Sequence, residues 1–400
     1  DDIKDEKTVG IISENKLTGI TEIAQPLGPI LAIIPVTNPT STTIFKILIS
    51  LKTRNPIIIC PSKKAINSCA ETAKICYEAA IAAGAPVGCI QWLEVVNREQ
   101  THQLMGHKQL SLILATGGGS LVNAAYSSGT PALGVGAGNV PVYIEKSADI
   151  GFAVQQIFAS KTFDFGTICA SEQSIIVEKE IDNAVKFEFI NKKAKFLNTE
   201  EKVKLESVVF DKNKNLMNGD IVGKSAKYIA DLANIEVDDD VSLLIAELNE
   251  VGDNEPLSSE ILAPVLAYYV VEDFVSAVNR CIELNYYGGI GHTASIFSNN
   301  QEKIKEFSLM MNAGRIVVNT PSSQGAVGSL FNKLSVSLTL GCGTGGKNIT
   351  TDNVTAKHLL NIQRIAFRRD NTKFEKFDKS LYFDENYDLN KVEFEFHKNF

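Results

Sequence analysis

One of the seven cysteines in this 400-residue chain sits in a setting that suits a nucleophile. In Lys161-Thr-Phe-Asp-Phe-Gly-Thr-Ile-Cys169-Ala-Ser-Glu-Gln-Ser174, Gly166 provides a turn, Cys169 lies just beyond it, and a small polar run leads into apolar residues at Ile175. A thiolate that attacks an electrophilic carbon needs exposure to substrate and electrostatic help from backbone N–H groups or a helix N-terminus. Without such a setting a free cysteine is by default a small core hydrophobe, and Cys60, Cys76, Cys281 and Cys342 are read that way. Cys60, Cys69, Cys76 and Cys89 lie close together, but they show neither CxxC pairing nor a histidine spacing, so no metal is assigned.

Two glycine loops are the second chemical feature. Leu112–Thr116 followed by Gly117, Gly118, Gly119 and Ser120 reads as a strand, a turn and a helix start, which lets backbone N–H groups approach a phosphate. Thr116, Gly117, Gly118 and Ser120 are the candidates there, although the run is not GxGxxG and equally suits a plain tight turn. The second loop, Gly134-Val-Gly136-Ala-Gly138-Asn139, denies side chains to a length of backbone, as a flat ligand or a tight crossing between domains would require. Pro61 belongs to Cys60-Pro-Ser-Lys-Lys64, where many dinucleotide sites place an acidic residue. None stands here, so a 2′-phosphate is tolerated; the lysine pair itself reads as a solvated helix start.

The elements that position these residues alternate. Strand-like runs are expected at Gly28–Ile34, Ile57–Cys60, Leu112–Ala115, Ala132–Val135 and Val142–Ile144, with helices at Ile44–Leu51, Ala65–Ala83 (stopped by Gly84) and Ser120–Ser128. The rhythm restarts with strands at Ser174–Val177, Ser242–Ala246, Val265–Tyr269, Thr293–Phe297 and Ile316–Val318, and helices at Ile181–Glu188, Glu272–Asn285 and Gln301–Met311. Such alternation predicts parallel, doubly wound α/β sheets in two domains that join near Ala137–Cys169. Lys7–Pro26 reads as a pair of exposed strands, and the apolar period is lost from Arg364 onward.

Composition narrows the class. A formal net charge of -8 and 22% charged residues describe an acidic globular protein, a poor partner for nucleic acid or an anionic membrane. No apolar run is long enough for a span; the one at Ile30–Ile34 stops at Pro35. The odd cysteine count favours a reducing cytoplasm. The first residue is Asp1 rather than Met, which reads as a fragment or a processed chain.

Eight stretches occur in an order that resembles a known family: Pro35-Val-Thr-Asn-Pro-Thr-Ser-Thr42, Leu114-Ala-Thr-Gly-Gly118, Ala125-Tyr-Ser-Ser-Gly129, Gly134-Val-Gly-Ala-Gly-Asn139, Ile168-Cys-Ala-Ser-Glu-Gln-Ser174, Gly291-His-Thr293, Asn319-Thr-Pro321 and Thr339-Leu-Gly-Cys-Gly343. Together they resemble the CoA-acylating acetaldehyde dehydrogenases, most of all the aldehyde dehydrogenase half of bifunctional aldehyde-alcohol dehydrogenases. The resemblance runs from about Asp5 to Phe383. It implies two Rossmann-like α/β domains plus a small bridging β element: residues 1–27 for bridging and oligomerisation, 28–136 for the nucleotide, 137–345 for catalysis, and 346–400 as a returning tail. It implies Cys169 as nucleophile, Asn38 as an oxyanion donor beside the Cys169 backbone N–H, and Glu260 on the nicotinamide ribose. His292 would face the site. Each has a plainer alternative: Asn38 as a helix N-cap, Glu260 as a surface carboxylate, His292 as a satisfied core histidine.

The implied chemistry is attack of the Cys169 thiolate on a small aldehyde, hydride transfer to NAD (NADP not excluded) and a thioester. Hydrolytic relatives activate water with a Glu at the place matched here by Gly134–Gly138, which has no carboxylate. The acyl group then passes to coenzyme A, with His292 as the only titratable candidate near enough to take the thiol proton. The resemblance also implies a homodimer or higher homo-oligomer, and filaments where the domain is part of a bifunctional chain. Two departures touch the mouth of the site. Thr344 runs straight into Gly345-Gly346 where a Trp is usual, and Leu330–Leu334 is one residue short. The alternatives are the same chemistry on succinate semialdehyde or sulfoacetaldehyde, or a silent structural homologue that builds filaments.

Overall fold

A computed structural model describes residues 2–211, 216–370, 385, 386 and 388–399. Phe383, at the far end of the resemblance, lies outside the described residues. Two parallel sheets dominate. The first has five strands in the spatial order Ile90–Trp92, Ile57–Pro61, Ile30–Ile34, Leu112–Thr116, Ala132–Val135. The second has seven: Ala194–Phe196, Leu243–Glu247, Val265–Val271, Glu172–Glu178, Val140–Ile144, Gly291–Phe297 and Ala313–Val318. Every named pairing within these two sheets is parallel. Helices cover both faces, so central strands such as Ile30–Ile34 and Glu172–Glu178 are buried at every position and read as unbroken apolar or small-polar runs.

The α/β expectation is met, with differences in detail. The first helix is longer than its apolar period suggested and spans Pro39–Lys52, because Pro39 is a favoured first residue and the polar turn before Ile44 is helical too. The region between Glu178 and Leu243 holds more structure than the rhythm indicated: helices Thr199–Val209 and Ala226–Leu232 and a small ladder of Phe210–Asp211 with Leu216–Met217. Beyond Arg364, where no pattern was expected, a strand Leu360–Ala366 and a helix Leu389–Asn399 form.

The chain divides into two compact units. The larger, Asp1–Glu6 with Pro26–Leu360, contains both parallel sheets. In it Val354, Ala356 and Leu359 pack on Ile30, Ile49, Leu112 and Leu114 of the five-stranded layer. The smaller unit takes Lys7–Gln25 and the described residues from Asn361 on. It is built on a three-stranded sheet of Gly10–Asn15, Ile20–Pro26 and Leu360–Ala366, exposed at most positions.

Two lysines are wholly enclosed. Lys46 Nζ donates to Ile33 O at 2.8 Å, Leu114 O at 2.9 Å and Thr116 Oγ1 at 3.0 Å, tying together the two central strands of the first sheet. Lys161 closes the helix Ile150–Thr162. Burial lowers each to a pKa of about 7. Among the described residues no helix is long and apolar enough to cross a membrane.

Candidate active site

The chain reaches Cys169 through an unusual turn. After the helix Ile150–Thr162, Asp164 (φ 48°), Phe165 (φ 51°) and Gly166 (φ 72°) are all left-handed. For Asp and Phe this conformation costs about 1 kcal/mol or more each. Gly166 is required: a Cβ there would meet Ala263 O at 2.6 Å and Lys161 O at 3.0 Å. The turn swings the chain back so that Cys169 stands just before the strand Glu172–Glu178, at the mouth of the second sheet.

Cys169 is partly exposed. The protein around its sulfur nevertheless pushes the thiol up to about 12; the negative field of Glu260 adds to burial, while Arg315 and the residue's own N–H oppose it. The free enzyme therefore holds a thiol, not a thiolate. Alkylation by iodoacetamide should climb with pH through the range up to about 10 without reaching a plateau, because ionisation lies above it. A plateau near neutral pH, measured as inactivation rate, would contradict this resting state.

Gly138 joins the rest of the site. It lies in the crossing between strand Ala132–Val135 of the first sheet and Val140–Ile144 of the second. A Cβ on Gly138 would meet Cys169 O at 2.4 Å and the His292 ring at 3.2 Å, so the crossing, the Cys169 loop and the imidazole lie against one another there. Its N–H donates to Glu260 Oε1 at 2.9 Å. Asn139 pins the next position, donating to Ser258 O at 2.8 Å and Leu284 O at 3.0 Å. The structure thus brings Cys169, His292 and Glu260 together around one glycine.

His292 is fully buried on strand Gly291–Phe297. Its Nδ1 is hydrogen-bonded to Thr293 Oγ1 at 2.9 Å, and that hydroxyl also accepts from Arg315 at 3.4 Å. Nε2 has no partner among the described residues. Burial, and then the Arg315 charge, lower the imidazole pKa to about 3. His292 is not the only titratable group at this crossing. Glu260, whose carboxyl burial raises to about 7 against the Gly138 N–H and Lys161, acts on Cys169 as well.

The remaining candidates gather on the first sheet. Asn38 follows strand Ile30–Ile34, Pro61 ends Ile57–Pro61, and Thr116 ends Leu112–Thr116. Gly117 and Gly118 form the turn before the helix Gly119–Tyr126, with Ser120 in its first turn, and Gly136 follows Ala132–Val135. Because the strands are parallel, these positions share one edge. The chain order reverses between Ile30–Ile34 and Leu112–Thr116, which makes that edge the switch-point crevice where open α/β sheets bind dinucleotides. Gly118 and Gly119 face open space, with no atom within 4 Å of a built Cβ, as a phosphate cradle requires. Asn38 occupies the N-cap position of Pro39–Lys52 without a capping bond; its Oδ1 accepts from Thr37 Oγ1 at 3.2 Å. The N-cap alternative holds in position but without the side-chain bond that usually accompanies it.

Sequence reasoning missed Lys46, Lys161, Gln173 and Arg315. Arg315 donates to His292 O at 2.9 Å and Thr351 O at 3.1 Å, and also to Gly341 O. Enclosed cations carry no sequence signal, because what pairs them lies far along the chain.

Residues 3–332 match the aldehyde dehydrogenase family. The chain belongs to this family. It is similar to the bifunctional aldehyde-alcohol dehydrogenase of Escherichia coli, 46% identical over 384 residues, covering 95% of this chain and 43% of that protein. An acetylating aldehyde dehydrogenase from Geobacillus thermoglucosidasius superposes with a TM-score of 0.91 at 48% identity, over 93% of this chain and 81% of that one. A Rhodopseudomonas palustris propionaldehyde dehydrogenase, seen with bound CoA and an acylated cysteine, gives 0.79 at 25% identity over 87% and 77%. This aldehyde dehydrogenase chain spans less than half the length of the curated bifunctional relatives it matches.

Proposed function

We propose that this chain is a CoA-acylating aldehyde dehydrogenase that interconverts acetaldehyde, CoA and NAD with acetyl-CoA and NADH through a thioester on Cys169. The contact of Gly138 with both Cys169 O and the His292 ring carries the reading. It leaves no room at Gly138 for a side chain, and the loop Gly134–Gly138 carries no carboxylate that could activate water beside the acyl group, so a thiol becomes the acyl acceptor.

In this reading Thr116, Gly117, Gly118, Ser120, Gly136 and Pro61 hold the dinucleotide, and Glu260 holds the ribose next to the nicotinamide. A bound nicotinamide supplies the hydride acceptor. Cys169 releases its thiol proton to solvent as Sγ bonds to the aldehyde carbon, and its own N–H with the Asn38 amide steadies the oxyanion that forms as the C=O π bond breaks. His292 is neutral throughout the working range. So weak a base does not hold a proton on its own; it accepts the CoA thiol hydrogen bond as that sulfur bonds to the acyl carbon, and the proton ends on Cys169 Sγ as its own bond to the acyl carbon breaks. Residues 28–136 serve the nucleotide and 137–345 the chemistry. Residues 1–27 and 346–400 serve assembly into a homo-oligomer, in keeping with an exposed sheet carrying Val9, Ile11, Ile365 and Phe367 on its surface. The odd number of thiols suits a reducing cytoplasm.

An anionic aldehyde has less support, since Arg315 turns both terminal nitrogens to backbone and Thr293 oxygens. Hydrolysis has one specific argument, the Glu260 carboxyl beside the thiol. NADH formation with a panel of small aldehydes, with and without CoA, separates them. Acetaldehyde oxidation is expected to need CoA, with at least about tenfold less turnover in its absence. CoA-independent turnover that disappears in Glu260→Gln would replace the acylating reading by a hydrolytic one.

A further inference from the structure

Lys161 is fully buried and makes no ion pair among the described residues. Its Nζ donates to Gln173 Oε1 at 2.8 Å and to Ile261 O at 3.0 Å. Gln173 Oε1 accepts a second bond from Ile261 N at 3.1 Å. Both backbone polar groups of Ile261 are therefore gripped, one by the lysine and one by the glutamine. Ile261 directly follows Glu260, and Gln173 lies on the strand that Cys169 leads into. Burying an ammonium costs several kcal/mol, and two neutral acceptors do not offset that; an apolar side chain would fill the same volume at less cost. What the charge faces is a pair of carboxylates, Glu172 and Glu260. Glu172 is fully buried, takes the Ser322 N–H at 2.8 Å and leaves Oε2 without a partner.

We infer that Lys161 is a positioning residue for Glu260: through Ile261 it fixes where the Glu260 carboxylate meets Gly138, and in its charged form it favours the ionised carboxylate. The inference rests on Glu260 holding the nicotinamide ribose.

The groups around Glu260 oppose one another. Burial pushes its carboxyl up to about 7, while the Gly138 N–H and Lys161 pull it down. The Cys169 thiol is near enough to feel the Glu260 charge, and the His292 ring packs beside Gly138. Arg315 acts on the thiol and the imidazole, and Glu172 acts on Lys161 itself. Without the ammonium, burial remains, so the carboxyl stays protonated to higher pH. An ionised carboxylate makes the stronger hydrogen bonds to a ribose diol. NADH affinity should therefore rise with pH as Glu260 ionises, and loss of Lys161 should move that rise to higher pH.

The test is equilibrium NADH binding by fluorescence on the full chain, from about pH 5.5 to about pH 9, for wild type and for Lys161→Met, Lys161→Arg and Glu260→Gln. Lys161→Met fills the space without charge; Lys161→Gln is the second neutral variant should Met misfold by circular dichroism. The midpoint should move up by about one pH unit in the neutral variant, return in Lys161→Arg, and vanish in Glu260→Gln. A neutral variant whose NADH affinity and midpoint both match the wild type overturns the role of Lys161 while leaving Glu260 on the ribose. A midpoint that survives in Glu260→Gln removes Glu260 from the ribose and the positioning role with it.

Discussion

Cys169→Ser is expected to lower CoA-dependent NADH formation by roughly 10⁴-fold or more while leaving NADH affinity within about twofold. The surroundings already hold a proton on the thiol, whose pKa they raise to about 12. A serine hydroxyl gives up its proton less readily still, and here burial and the Glu260 charge would both resist its ionisation. The Arg315 charge and the residue's own N–H, which favour the thiolate, are too weak to rescue an alkoxide. Steady-state rates and mass spectrometry of the acylated chain check this. Loss of less than tenfold, or an acyl group carried by Cys342, which packs in one cluster with Ala170, would move the nucleophile elsewhere.

The second large effect is expected at Gly138. Alanine there puts a methyl carbon 2.4 Å from Cys169 O and 3.2 Å from the His292 ring. The first neighbour is backbone on a turn already fixed by Gly166 against Ala263 O, so it cannot yield cheaply. A displacement on the order of 1 Å at the nucleophile costs about 10²-fold in rate, whereas overpacking of this kind costs about 1–3 kcal/mol in stability. Gly138→Ala should thus remain folded, with kcat/KM down by about two orders of magnitude and a lowered melting temperature. A variant that melts lower but turns over at the wild-type rate would show that the contact holds the fold together without setting the chemistry.

Much of this was legible in the residues. Strands such as Ile30–Ile34 and Leu112–Thr116 are buried on both faces, so they appear as short unbroken apolar runs between glycines and prolines, and their order followed directly. Gly84, which stops the helix Ile66–Ala82 with φ 91°, was equally plain. The stretch from Glu178 to Leu243 was harder. The helix Thr199–Val209 carries a mixed charged surface with few buried positions, although its capping box of Asn198 and Glu201 was there to be read. At the site, Cys169 stood out as a candidate only through the ordered motifs around it, since a lone cysteine has no signature of its own. The enclosed cations were illegible for a different reason. Lys161 bonds to a residue 100 positions away and Lys46 to one 68 positions away, so nothing local marks them as interior. His292 is a reverse case: its position was anticipated, but the burial that removes its basicity is a property of the packed whole.

The crossing at Gly136–Asn139 has a consequence for how such a protein can diverge. Gly138 admits no side chain, Asn139 is bonded to two distant carbonyls, and a Cβ on Gly289 would lie 2.2 Å from Asn139 N. Substitution is therefore closely constrained at Gly138, Asn139 and Gly289, whereas Gly136 faces open space. Variation must accumulate where the chain is loosely held, as at the outward-facing Leu330, Phe331 and Leu334. The strip that joins the two sheets would then act as an evolutionary anchor, conserving the reaction while the substrate drifts around it.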